Sequence, residues 1–395
     1  MGTRPKFFSR SDVRHMRLAI GLARRGWGTA SPNPIVGAVL VKGGNIIGRG
    51  WHRRAGGRHA EIEALREAQA HGHNPKGAVL YVTLEPCCTH GRTPPCTDAI
   101  IGAGIKRVIV GATDPNPKHS GRAFKILRRA GLEVVPGVLN EACAGLNEAF
   151  NHWIVQRTPW VTVKAAMTLD GKIATAAGES KWITGEKARA GGMKLRRGAD
   201  AILVGINTVI ADNPSLTVRL ASGSKGNIDP PKLRRIILDS TARTPLTAKV
   251  VSDEHAALTT IVVTKSAPQR RVAALAKRVK VIVAPPARPG PRVTRHGSLD
   301  LPWLLERLGS ENVTSLLVEG GGEVNASFLL GGLAQRVAFF YAPKILGGRD
   351  SHPGVAGEGA RSLAAAIQLH DVEWKRLGPD LLLTARITSQ RCFIS

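Results

Sequence analysis

No run of eighteen apolar residues occurs, so no membrane-spanning helix is expected. The basic residues of 1–14 are not followed by an apolar segment, so no secretory signal is expected either. Cysteines number only five. A sparse, odd set argues against a disulfide framework and for a reducing compartment, here read as the cytoplasm. Aromatic residues make up 4% of the chain, which leaves few rings on which nucleic-acid bases could stack. Acidic residues are scarce, 29 against 56 Lys and Arg, for a formal net charge of +27. Such a balance can signal a nucleic-acid partner. The excess is spread, however: 22 basic against 10 acidic residues in 1–150, and 34 against 19 in the remainder. No RNA-binding motif accompanies it. A diffuse basic surface serving phosphorylated small molecules accounts for part of the charge and leaves the rest unexplained.

Against these absences stand His59-Ala60-Glu61, then Pro86-Cys87, then Cys96. One imidazole and two thiols suit a zinc ion that keeps its fourth position for water. Glu61 is better used as a proton carrier than as a ligand, because a carboxylate beside such a water can take a proton and pass it to a leaving group. An H-x-E followed by P-C marks zinc-dependent nucleobase deaminases. His-Ala-Glu alone arises often by chance. Thr83-Leu84-Glu85-Pro86-Cys87 and Gly91-Arg92-Thr93-Pro94-Pro95-Cys96 carry the argument, because each half of the motif precedes a helix-compatible segment. The common form closes with C-x-x-C. Here Cys88 adjoins Cys87, and Cys96 follows nine positions later.

Periodicity predicts strands over 35–41, 79–84 and 107–111 and helices over 12–25, 59–70, 94–103 and 120–131, an α/β layered domain with a mixed or mostly parallel sheet. A helical stretch over 140–153 ends at Arg157-Thr158-Pro159, which predicts a boundary and two domains, 1–153 and 158–395. The second half predicts strands over 160–166, 201–204, 235–239, 260–264, 279–283 and 315–319, and surface loops over 221–231 and 284–297. Gly320-Gly321-Gly322 ends a strand and opens a helix, 323–330, as a phosphate-cradling turn would. It does not complete G-x-G-x-x-G, and taken alone a plain tight strand-to-helix turn is the stronger reading.

Taken together, Ser31-Pro32-Asn33-Pro34-Ile35-Val36-Gly37-Ala38, the zinc motif with its G-R-T-P-P-C ending, and Asp114-Pro115-Asn116-Pro117 with Gly121-Arg122-Ala123 resemble the bifunctional riboflavin-biosynthesis deaminase/reductases. The second half resembles the same family through Lys164-Ala165-Ala166-Met167-Thr168-Leu169-Asp170-Gly171, Gly178-Glu179-Ser180-Lys181-Trp182-Ile183-Thr184, Gly205-Ile206-Asn207-Thr208-Val209, Asp212 to Arg219, and Val318-Glu319-Gly320-Gly321-Gly322. The resemblance implies a cytidine-deaminase-like three-layer α/β/α domain and a dihydrofolate-reductase-like α/β domain. It implies one zinc per chain on His59, Cys87 and Cys96, with Glu61 as proton shuttle and Cys88 as a bystander. Asn33, His52, His90 and Arg92 become candidates for holding the deaminase substrate. NADPH is implied on Ala166, Trp182, Thr208, Asp212, Ser240, Gly321, Gly322, Glu323, Val324, Asn325, Ala326 and Ser327. The reductase substrate is implied on Ser180, Arg196, Leu216, Arg219 and Glu319, with the two arginines as forks for a ribosyl phosphate. Gly191-Gly192 interrupts the helix leading to Arg196 and predicts a weak or kinked element.

The implied activity is a hydrolytic deamination of an aminopyrimidine, then an NADPH-dependent reduction of its ribosyl group to a ribityl chain. The expected partner is a small phosphorylated pyrimidine, without nucleic acid or membrane, acted on by a homo-oligomer. Two other readings are a nucleic-acid-editing deaminase, which the charge favours, and a scaffold with a structural zinc. The second has no use for Glu61.

Overall fold

A computed structural model describes residues 8–89, 94–219, 232–287 and 299–388. The chain forms two compact units, 1–157 and 158–395. The expected loop 221–231, and that over 284–297 beyond residue 287, lie outside the described residues.

The first unit runs α1 (Arg10–Ala23), β1 (Gly37–Lys42), β2 (Asn45–Trp51), α2 (Ala60–Ala70), β3 (Val79–Leu84), α3 (Cys96–Gly102), β4 (Arg107–Ala112), α4 (Arg122–Arg129), β5 (Glu133–Pro136), α5 (Asn140–Gly145) and α6 (Glu148–Gln156). Its sheet has the order β2-β1-β3-β4-β5. β1 is antiparallel to both neighbours, while β3, β4 and β5 are parallel, so the sheet is mixed. β1 shows why two helical layers form. Ala38 and Leu40 enter one apolar core with α2, α3 and α4, whereas Val39 and Val41 enter another with α1 and α5. A strand buried on both faces reads as a continuous apolar run. Gly48 and Gly50 bring α2 close to β2: a Cβ on Gly50 would strike Ala60 O and Ala64 N, and one on Gly48 would strike Ala64 O. The start of α2, which carries the zinc motif, is thereby held against the sheet.

The second unit runs β6 (Trp160–Thr168), β7 (Lys172–Ala174), α7 (Glu186–Arg197), β8 (Ala201–Gly205), α8 (Ile206–Asp212), β9 (Arg234–Leu238), α9 (Lys249–Ser252), β10 (Thr259–Val263), α10 (Gln269–Ala276), β11 (Lys280–Val283), α11 (Leu301–Ser310), β12 (Ser315–Val318), α12 (Gly322–Leu330), β13 (Arg336–Ala342), β14 (His352–Pro353), β15 (Leu369–Leu377) and β16 (Asp380–Ile387). Its main sheet has the order β11-β10-β9-β8-β12-β6-β13-β16-β15. The strands from β11 to β13 are parallel, and β16 and β15 close the edge antiparallel. Apolar cores again lie on both faces.

Two expectations are corrected. The helical stretch over 140–153 is two helices, because Asn147 turns its side chain to the backbone of Ile35, accepting from Ile35 N at 2.8 Å and donating to Ile35 O at 2.9 Å. And α7 passes through Gly191 and Gly192 as one uninterrupted helix. A Cβ on Gly191 would stand 3.0 Å from Phe340 Cε1 and 3.4 Å from Leu377 Cδ1. The glycine is there for close approach to the sheet, and packing offsets its low helix propensity.

Candidate active sites

In the first unit, three short connections bring the ligand-type residues together. His59 caps the start of α2 in extended backbone, Cys87 follows β3, and Cys96 is the first residue of α3. Their donor atoms all lie within 4.8 Å of one another. His59 Nδ1 stands 3.2 Å from Cys96 Sγ and 3.5 Å from Cys87 Sγ. Ligands about 2.0–2.3 Å from one tetrahedral ion stand about 3.3–3.8 Å apart, so the spacing fits zinc. The donor chemistry fits as well. The hydrogen bond with Cys96 pulls the Cys87 thiol down to about 4, against the effect of burial, while the same bond and burial push the Cys96 thiol up. One thiolate forms readily; a second beside it needs a cation.

Glu61 lies one residue inside α2 and is 3% exposed. Burial pushes its carboxyl up from the usual range, with His59 opposing. Such a group can hold a proton and release it. His52, also buried, lies edge-on to His59 with ring centroids 5.4 Å apart. Its Nδ1 faces Arg58 O at 2.9 Å and its Nε2 faces Asn33 Nδ2 at 3.1 Å. Those partners assign a neutral ring with the proton on Nδ1, and burial lowers its basicity. Asn33 and His52 therefore bond to each other beside the metal ligand. Cys88 Sγ is outside the donor cluster, 3.9 Å from His119 Nδ1. His90 and Arg92 lie outside the described residues.

Glu85 went unassigned in the sequence. Its buried carboxylate accepts from the backbone N–H groups of Asp114, at 3.2 Å, Gly121, at 2.9 Å, and Ala123, at 3.1 Å. It ties the strand end that leads to Cys87 to the 114–123 loop. Nothing local in E-P-C distinguishes such an anchor from a ligand, because its partners lie 29 to 38 residues ahead.

The second unit holds a cleft of about 2180 Å³ at the ends of its parallel strands. That exceeds the ~300–1,000 Å³ of an ordinary ligand pocket and leaves room for two ligands side by side. Ala166, Trp182, Thr208, Asp212, Ser240, Gly321, Gly322, Glu323, Val324 and Ser327 line it, as do Ser180, Arg196, Leu216, Arg219 and Glu319. Asn325 and Ala326 do not. They point to the buried side of α12, where Asn325 Nδ2 donates to Gly354 O at 2.8 Å. Gly320, Gly321 and Gly322 line the cleft where α12 begins, so that its first N–H groups open there.

Arg196 departs from expectation. Its Nε and Nη2 both meet Glu319, each at 2.9 Å, and its Nη1 donates to Thr217 O at 3.2 Å. The fork expected to meet a phosphate is occupied by a carboxylate. Lys164 adds a third contact, 3.5 Å from Glu319. Burial opposes ionisation of Glu319, but Lys164 and Arg196 hold it down to about 2. Lys164 went unassigned in the sequence, although it lies two residues before Ala166. Arg219, exposed at the cleft, has no carboxylate within salt-bridge reach among the described residues.

Comparison with known proteins matches residues 9–112 to the cytidine and deoxycytidylate deaminase zinc-binding region, and residues 159–383 to the RibD C-terminal domain. The riboflavin biosynthesis protein RibD of Actinobacillus pleuropneumoniae is 43% identical over 377 residues, covering 95% of this chain and 96% of that protein. RibD of Aquifex aeolicus is 44% identical over 372 residues, covering 94% and 97%. Among solved structures, Acinetobacter baumannii RibD superposes with a TM-score of 0.81 at 35% identity, covering 96% of this chain and 99% of that one. A diaminohydroxyphosphoribosylaminopyrimidine deaminase/5-amino-6-(5-phosphoribosylamino)uracil reductase from Thermotoga maritima superposes with a TM-score of 0.78 at 34% identity, with the same coverage.

Proposed function

The chain belongs to the RibD family, the bifunctional deaminase/reductases of riboflavin biosynthesis, and from that membership we propose which residues perform each step. Both activities, the zinc deaminase and the NADPH reductase, are those of the family. The observation that carries the residue assignment is the convergence of His59, Cys87 and Cys96 on one point, with the buried Glu61 carboxyl on the same helix turn.

His59, Cys87 and Cys96 hold zinc, which when bound supplies Lewis acidity that makes water nucleophilic near neutral pH. Glu61 takes the proton of the attacking water and returns it to the amine leaving the pyrimidine carbon, so that ammonia departs. His52 and Asn33, fixed on each other, shape the substrate side of the metal. In the second unit NADPH, when bound, would supply a hydride for C1 of the ribosyl group, whose bond to the ring oxygen breaks while that oxygen takes a proton, leaving a ribityl chain. Trp182, Thr208, Asp212, Ser240 and the glycine turn hold the cofactor. Ser180, Leu216 and Arg219 hold the phosphorylated pyrimidine. Arg196 is reassigned from phosphate fork to positioning residue, because its donors are engaged by Glu319 and Thr217. The sparse cysteines support a cytoplasmic enzyme.

A coupled assay tests this division. Glu61→Gln should abolish NADPH oxidation when the amino-pyrimidine substrate is supplied and leave it intact when the deaminated substrate is supplied. Loss of both, or of neither, would overturn the assignment of Glu61 to the first step alone.

A further inference from the structure

The cleft wall from Asn213 to Arg219 has no regular secondary structure, yet several of its groups are tied from outside. Asn213 Oδ1 accepts from Lys249 N at 2.9 Å. Ser215 O accepts from Arg235 Nη1 at 2.9 Å. Thr217 O accepts from Arg196 Nη1 at 3.2 Å. Between the last two lies Leu216, 3% exposed and held at φ 52°, a left-handed conformation that a leucine adopts only when its surroundings impose it.

Arg235 is the unusual member. It sits on β9 inside the sheet and is fully buried. A guanidinium has five N–H donors, and here all five are used. Nε meets Thr259 Oγ1 at 2.8 Å, Nη1 meets Ser215 O and Asp253 Oδ2 at 2.9 and 2.7 Å, and Nη2 meets Asp253 Oδ1 and Val250 O at 2.8 and 3.2 Å. A buried ion pair is a poor source of stability, since desolvation offsets most of its attraction. What it supplies is a fixed direction for each donor.

We propose that the buried Arg235–Asp253 pair is a positioning device for the reductase, setting the 213–219 loop so that the backbone at Leu216, whose side chain is anchored in the core, and the side chain of Arg219 line the substrate side of the cleft. The inference rests on the reading that those two residues hold the phosphorylated pyrimidine. Asp253 fixes the guanidinium plane, the plane aims Nη1 at Ser215 O, and the loop follows. A misplacement of about 1 Å in such a wall can cost orders of magnitude in turnover or binding.

The test is steady-state kinetics of the full-length enzyme with the deaminated substrate. Arg235→Lys keeps the charge and loses the fork. It should raise the substrate KM about tenfold or more, with little change in the NADPH KM. Thr259→Val removes the Nε acceptor without touching the loop, and should lower Tm while leaving the substrate KM as it was. Equal rises in both KM values for Arg235→Lys, a fall in kcat alone, or a substrate KM in Thr259→Val raised as far as in Arg235→Lys would overturn the proposal. Should Arg235→Lys not fold, Asp253→Asn carries the same test from the other partner, because the amide keeps one acceptor and loses the second arm that fixes the guanidinium plane; it too should raise the substrate KM, and an unchanged KM would overturn the proposal. Arg219→Ala separates the two ideas. A raised substrate KM there with none in Arg235→Lys defeats the clamp alone, whereas no rise in either defeats the underlying substrate assignment.

Discussion

Two thiols with opposite tendencies meet at the deaminase centre, Cys87 easily ionised and Cys96 reluctant, and only a cation makes both good ligands. Cys96→Ala should therefore purify without its zinc, whereas Cys88→Ser, whose sulfur lies outside the cluster, should keep about one zinc per chain. Elemental analysis decides, and a full complement in Cys96→Ala defeats the ligand set. Glu61→Gln should retain metal and lose about 10²–10⁴-fold in deamination. In the second unit, Glu319 gives a pH prediction. Its carboxyl, ordinarily near 4.5, is held down to about 2 by Lys164 and Arg196 against burial. A lowered folded-state pKa contributes stability that is complete above the unfolded value and is lost as pH falls through the folded one. The Tm advantage of the native enzyme over Glu319→Gln should accordingly be full at pH 7 and shrink between about pH 4.5 and 2; an advantage that persists undiminished at pH 2 contradicts the pairing. The cluster of His59, Cys87 and Cys96 donors was legible in the sequence because a zinc-type site dictates donor type and spacing. The Arg196–Glu319 pair was not, because its members are 123 residues apart and each alone looks like a substrate contact.

Elements were legible where the strand is a run of apolar or β-branched residues, whether buried on both faces like β3 and β4 or half-exposed like β11. The expected strand over 79–84 coincides with β3, and those over 107–111, 160–166, 201–204, 235–239, 260–264, 279–283 and 315–319 differ from β4, β6 and β8 to β12 by only one or two residues at an end. β2 was missed because Gly48, Arg49 and Gly50 give it little strand propensity, the two glycines being there for the close approach of α2. β15 was missed because it is exposed along almost its whole length and alternates no apolar face. α7 tests how well packing and propensity can be told apart. Gly191→Ala gains roughly 0.5–1 kcal/mol of helix propensity. It also puts a methyl 3.0 Å from Phe340, which is 1% exposed and has nowhere to move. Overpacking of that kind costs roughly 1–3 kcal/mol, so the variant should be destabilised. Gly192→Ala meets only Lys164 Cε, at 3.8 Å, an ordinary contact. It should be stabilised by about 0.5–1 kcal/mol. Thermal melts of the two single variants decide, and the same sign for both would show that the glycines are not distinguished by packing.

At the scale of the molecule, the question is whether each half is a folding unit in its own right. Four apolar core clusters are present among the described residues, and none draws on both sides of residue 157. The clusters built on β1, β3 and β4 end at Leu146, and those built on β6, β8 and β12 begin at Val161. Arg157, in left-handed backbone, ends α6 just before Thr158 opens the second unit. A fragment of residues 158–395 keeps a whole nine-stranded sheet, both its cores and the lining of the cleft. Its length is ample for an independent core. It should fold, as judged by circular dichroism, and oxidise NADPH with the deaminated substrate while remaining inert toward the amino-pyrimidine. The charge excess bears on the same experiment. Because it is spread over both halves, the fragment stays strongly basic and should need no acidic partner from the first unit for solubility. Arg219→Ala made in this fragment should raise the substrate KM more than the NADPH KM, since an exposed guanidinium that lines the cleft and meets no carboxylate among the described residues suits a phosphate. A fragment that folds yet reduces nothing would refute the two-site reading, because every group assigned to hydride transfer is present in it.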